Sequence, residues 1–102
     1  MTSHATVSHC ALVHARAGFS AELGERLQAL VQASGQAHGC LHFAVQRSQC
    51  DHNLWLVSGF WAHQEAMLAW FDSPAMQVFS DLVQALLVER LDLHTFANVA
   101  AA

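Results

Sequence analysis

No lysine and no tyrosine occur in this chain of 102 residues, which has a single proline and only 12% charged residues. Arg16, Arg26, Arg47 and Arg90 are the whole basic complement against eight acidic residues, a formal net charge of -4. A basic face able to hold a phosphate backbone or an anionic membrane cannot be assembled from four arginines, so nucleic acid and membrane surfaces are excluded as partners. No apolar run approaches the ~20 residues that cross a bilayer. Met1 to His9 has neither the basic start nor the apolar core of a secretory leader, and the expected location is cytoplasmic. Cys10, Cys40 and Cys50 are odd in number and form no CxxC pair, which suits buried, reduced thiols. Nucleotide-binding loops, nucleophile triads and usefully spaced carboxylate pairs are missing too.

What is present is apolar: 54% of the chain. One domain accounts for residues 1–102, with an ordered core of about residues 5–98. A chain this short buries about 60 to 70% of its unfolded surface, so the excess of apolar residues predicts a second copy as partner.

Residues Thr6 to Ala15 read as a strand ending at Arg16-Ala17-Gly18. Phe19, Leu23, Leu27, Leu30 and Val31 then recur at helical intervals, with Ser20 placed to cap the first turn and Ser34-Gly35 to end it. Two further strands, Cys40 to Arg47 and Leu54 to Ala62, flank the polar stretch Ser48 to Asn53 and predict a hairpin. A short helix from His63 to Phe71 precedes Ser73-Pro74, a capping residue and a proline suited to a first helical position. Ala75, Phe79, Leu82, Val83, Leu86 and Leu87 mark the stripe of another helix. Glu89 to Ala97 alternates as a last strand, and Ala100 to Ala102 is expected to fray. The predicted class is α+β, a ferredoxin-like βαββαβ fold with an antiparallel four-stranded sheet. Helices cover one face of that sheet, and a twin subunit is the simplest cover for the other.

Gly39-Cys40-Leu41-His42-Phe43, Arg47-Ser48, Trp55-Leu56, Trp61 with Gln64-Glu65-Ala66-Met67, and Ser73-Pro74 with Phe79 together resemble the antibiotic biosynthesis monooxygenase family of dimeric α+β barrels. The resemblance implies a homodimer, a pocket between helices and sheet in each protomer, and cofactor-independent monooxygenation of a small aromatic or quinol. A non-catalytic dimeric binder of a small apolar molecule, or an enzyme relative without activity, is the alternative. Trp61 would point toward the helices as the family's matching tryptophan does. Strand alternation then places Trp55, Val57, Gly59, Val7, His9, Ala11, Val13, Leu41, Phe43 and Val45 on the same side.

His9 is the one ionisable group on those stretches and the candidate general base, acting with Trp61 at the catalytic position. Phe43, Trp55, Met67, Trp70, Phe71, Met76 and Phe79 are the candidate substrate-binding residues, although the same side chains equally describe a packed core. Three tryptophans whose indole N-H groups need partners point to a cavity edge.

Two departures from the family stand out. Gly59 occupies the position where many relatives carry glutamate, and Trp70 the position of a histidine. In the haem-degrading branch Trp70 has a counterpart, but Ser80 stands where the iron-ligating histidine belongs and Ala11 where the first-strand asparagine does, so no haem is expected. Among the eight histidines no pair falls at i, i+4 on a predicted helix, and neither metal nor cofactor is expected. His14, His42 and His94, with Cys10 and Cys40, could share the open sheet face as an N/S cluster.

Overall fold

The computed structural model describes residues 6–100. The leader reading of the first five residues, and the last two positions of the alanine-rich end, lie outside the described residues. Seven elements follow in order: β1 (Val7–Ala15), α1 (Ser20–Gly35), β2 (Cys40–Arg47), β3 (Leu54–Trp61), α2 (Gln64–Phe71), α3 (Ala75–Gln84) and β4 (Val88–Ala97). The sheet has four strands in the order β2-β3-β1-β4, every pairing antiparallel. That is the ferredoxin-like α+β arrangement, with all three helices on one face. Among the described residues no helix is long and apolar enough to cross a membrane.

Period two is obeyed along β1 and β3. Val7, His9, Ala11 and Val13 are buried under the helices, as are Trp55, Val57, Gly59 and Trp61, whereas Leu12, Leu54, Leu56 and Phe60 lie on the open face. β2 breaks the pattern. Cys40 is opposite Trp61 but His42 is opposite Phe60, so Leu41 is an extra, bulged residue. Strict alternation places Leu41 inside and Cys40 outside. The bulge reverses both: Leu41 is 59% exposed, while Cys40 packs against the core and burial raises its thiol pKa. Cys40 lies on the other side of the sheet from the face on which an N/S cluster could have gathered, and among the described residues no three metal-ligating side chains converge.

In α1 the buried stripe is Leu23, Gly24, Leu27, Leu30 and Ser34, while Phe19, at the N-cap position before the helix, is exposed. Ser20 lies inside the first turn and does not cap it. Its hydroxyl instead donates to the His52 carbonyl and accepts from Trp55 Nε1 at 2.9 Å, tying the helix start to β3. Gly24 admits this indole, since a Cβ there would sit 2.4 Å from the Trp55 ring. His63 caps α2, its Nδ1 accepting from the Ala66 N-H at 3.2 Å. Ser73 Oγ receives the Ala75 N-H as α3 begins.

α3 ends earlier than its apolar stripe suggests. Leu86 adopts φ 62, and the Leu86 and Leu87 N-H groups return to the Val83 and Leu82 carbonyls. Those two bonds form a Schellman motif with leucine where glycine is usual. The chain therefore turns at Leu86, leaving Val83 and Leu86 exposed while Leu87, past the helix, plugs the core.

Candidate functional site

β1 and β3 meet with His9 opposite Gly59, and Trp61 lies on the same face two residues further along β3. The glycine makes room for the imidazole. A Cβ at position 59 would lie 2.5 Å from His9 Cε1 and 2.9 Å from Trp61 Nε1. The Trp61 indole N-H donates to His9 Nδ1 at 3.0 Å, and the His9 ring stacks on Trp70 with centroids 4.7 Å apart and planes 18° apart. Phe71 and Phe43 complete the shell at 5.5 and 5.9 Å. Thus the ring held against both tryptophans is His9 itself, and it fills this part of the space between helices and sheet where a pocket is expected.

This geometry fixes the chemistry of the imidazole. A neutral histidine has one donor and one acceptor nitrogen. Since Nδ1 accepts from Trp61, the proton resides on Nε2. His9 Nε2 is buried without a hydrogen-bond partner. Desolvation in an apolar shell lowers the His9 pKa from 6.5 to about 4, and a second ring proton would confront the indole N-H directly. At neutral pH His9 is therefore an N-H donor and not the general base expected from its ordinary pKa. A neutral imidazole in this state can hold a carbonyl or phenolate oxygen, but its one basic lone pair, on Nδ1, is already taken by the Trp61 N-H.

Among the other expected site residues, Trp70 and Phe79 meet edge to face within the cluster, and Met67 is buried beneath α2. Met76, half-buried, borders a crevice. Trp55 is separate: it pairs with Val13 four residues along the sheet, and its indole is covered by the Arg47 guanidinium at 5.5 Å. All three indole N-H groups have partners within the protein, that of Trp70 being Ser34 Oγ at 3.0 Å. Their polarity is satisfied by the fold, so it does not mark a cavity edge.

Two hollows adjoin Trp70. One is an open groove of about 750 Å3 between α1 and α2–α3, walled by Ala29, Ala33, Ala37, Ala66, Ala69 and Val78, with Ser34 and Trp70 at its base and His38, His63 and Glu65 at one end. It lies within the range typical of small-molecule sites. The other is a crevice of about 40 Å3 bounded by His9, Ala11, Trp70, Met76 and Phe79, with Leu91 and Leu93 at its rim. Sequence reasoning did not find the groove. Its only trace is alanine at four-residue intervals on α1, a pattern that fixes one helix face but not whether anything fills it.

The family model described as antibiotic biosynthesis monooxygenase matches residues 6–82. Solved structures share the fold along nearly the whole chain. A Pseudomonas aeruginosa protein superimposes with a TM-score of 0.86 at 21% identity, covering 98% of this chain and 100% of that one. A candidate antibiotic biosynthesis monooxygenase from Deinococcus radiodurans gives 0.83 at 26% identity, with 95% of each chain covered. A variant of SnoaB, a cofactor-independent oxygenase from Streptomyces nogalater, gives 0.79 at 12% identity, covering 94% and 95%. No protein in the curated comparison matches.

Proposed function

Because the chain belongs to the antibiotic biosynthesis monooxygenase family, we propose that it is a cofactor-independent monooxygenase whose small aromatic or quinol substrate lies in the groove against Trp70. The observation that carries this reading is the position of Trp70, which lines a ligand-sized hollow and stacks on His9 behind it. An aromatic guest gains most where a rigid π-surface is already held in place. Here the Ser34 hydrogen bond and the His9 stack hold it. Small alanine walls leave room for a flat ring against the held indole.

A second reading, a non-catalytic binder, is favoured by the commitment of His9: its Nδ1 is taken by Trp61, and no carboxylate is among its ring contacts. Titration with a naphthohydroquinone under air, with chelator present, separates the two. Saturable quenching of tryptophan fluorescence with oxygen uptake is expected, and Ala69→Phe, on the exposed groove wall, should weaken both by about tenfold. Saturation without uptake selects the binder. No saturable quenching removes both.

We further propose a cytoplasmic homodimer that buries the open sheet face, where Leu12, Leu54, Leu56, Phe60 and Phe96 surround Cys10 and His94, paired across β1 and β4. Sheet-on-sheet packing is the simplest cover for such a face. Sedimentation should return a particle of twice the chain mass, and a monomer at micromolar concentration would remove this element of the proposal.

A further inference from the structure

Beside Trp70, on the side away from the groove, the 40 Å3 crevice has walls of carbon and sulfur only. Its size and its surface together restrict the occupant. An aromatic ring needs several times this space, so the substrate class proposed above does not fit. Water fits by volume, since one molecule needs about 10–15 Å3, but an ordered water also requires two to four polar partners. The accessible wall supplies none, because the only polar side chain bordering the crevice, His9, has its nitrogens buried. A wall of this kind gives water no hydrogen bond to replace those it leaves behind, and so favours an apolar guest.

Resting on the oxygenase reading, we infer that the crevice between α3 and β4 is a binding site for dioxygen. The guest that the wall selects is an apolar molecule of two heavy atoms. Phe79 and Trp70 form the floor, and the half-exposed Leu91 and Leu93 leave a mouth on the edge strand, so a gas can enter without rearrangement of the helices. Trp70 then separates two hollows of different character. The groove takes the flat organic molecule and the crevice the gas, with one indole between them. The His9 imidazole, whose Nε2-H has no partner, lies beside the crevice and in contact with the same indole.

Xenon tests the site without turnover, since it is apolar, polarisable and near dioxygen in size. Crystals of the full chain under xenon pressure should show a peak between Ala11, Trp70, Phe79 and Leu93. Leu93→Phe should abolish that peak by filling the mouth from an exposed position, and Leu91→Phe, also at the exposed rim, gives a second closure should Leu93→Phe fold poorly. A hydrogen-bonded water in the crevice of unpressurised crystals, or xenon bound only elsewhere, would overturn the assignment. In oxygen-uptake assays the same variants should raise the KM for dioxygen by about tenfold or more, the lower end of what a methylene-sized change in an apolar pocket is worth, and leave the KM for the quinol unchanged. Xenon binding with an unchanged KM for dioxygen would also overturn it. If no quinol turns over, the oxygenase reading fails while the xenon result still decides whether the crevice takes up an apolar gas.

Discussion

Replacing Gly59 by alanine should lower stability by about 3 kcal/mol, the sum of overpacking a filled core and losing the Trp61–His9 hydrogen bond. Alanine is ordinarily the better residue in a strand interior, because glycine loses more backbone freedom on folding. Here the sign reverses. The added methyl would stand 2.5 Å from His9 Cε1 and 3.0 Å from its Nδ1, and neither neighbour can retreat, since Trp70 covers the ring and Trp61 holds its nitrogen. Urea unfolding followed by tryptophan fluorescence would report the loss as a lower midpoint. His9→Ala should be costly by itself, because it orphans the Trp61 N-H and leaves a void. The double variant should be less unstable than the sum of the two by at least about 1.5 kcal/mol, since the new methyl then enters space the imidazole has vacated. Additive losses would show that Gly59 does not serve His9.

Acid should destabilise the protein through His9 alone by about 3 kcal/mol. In the unfolded chain this residue takes its proton near pH 6.5, whereas in the folded protein desolvation delays protonation to about pH 4. Between those values the unfolded state binds more protons, so stability falls as pH falls from about 6.5 and the loss is complete below about 4. A difference of about 2.5 pKa units corresponds to about 3.4 kcal/mol. Phe43, Trp61, Trp70 and Phe71 are the rings in contact with the imidazole, and none can neutralise its charge. Thermal unfolding across pH 4 to 7 should show this loss, and His9→Asn, which retains an acceptor for Trp61 without titrating there, should flatten the curve. An equal slope in both proteins would mean that His9 is protonated at no cost and that its Nδ1 does not depend on Trp61.

How much of this was legible in the sequence depends on how local each determinant is. The helix-facing side of β1 and β3 follows from period two alone, so His9, Val57 and Trp61 were assigned correctly to one face. Cys40 and Leu41 were not, because a bulge is a property of two strands paired together and leaves no mark on one. The expected hollow failed for a related reason. Gly59 reads as a missing glutamate when β3 is considered alone; only its pairing opposite His9 shows that the empty position is filled from the neighbouring strand. Leu86 misled through its composition, since an apolar residue in register with Phe79 and Leu82 extends a helical stripe, and only the backbone shows that the helix has already turned. The general-base role of His9 rested on an ordinary imidazole pKa. A single indole N-H, contributed by a residue 52 positions away, reverses that role.

The extra residue in β2 also bears on how this chain can change length over evolutionary time. Removing Leu41 would regularise the strand and keep every remaining side chain on the side it already occupies. Losing one residue at Ala44 would send Phe43 outward or Val45 across the sheet. Insertions and deletions are thus tolerable at one position of this strand and ruinous three positions later, and descendants of this gene should vary in length at the first and hardly ever at the second.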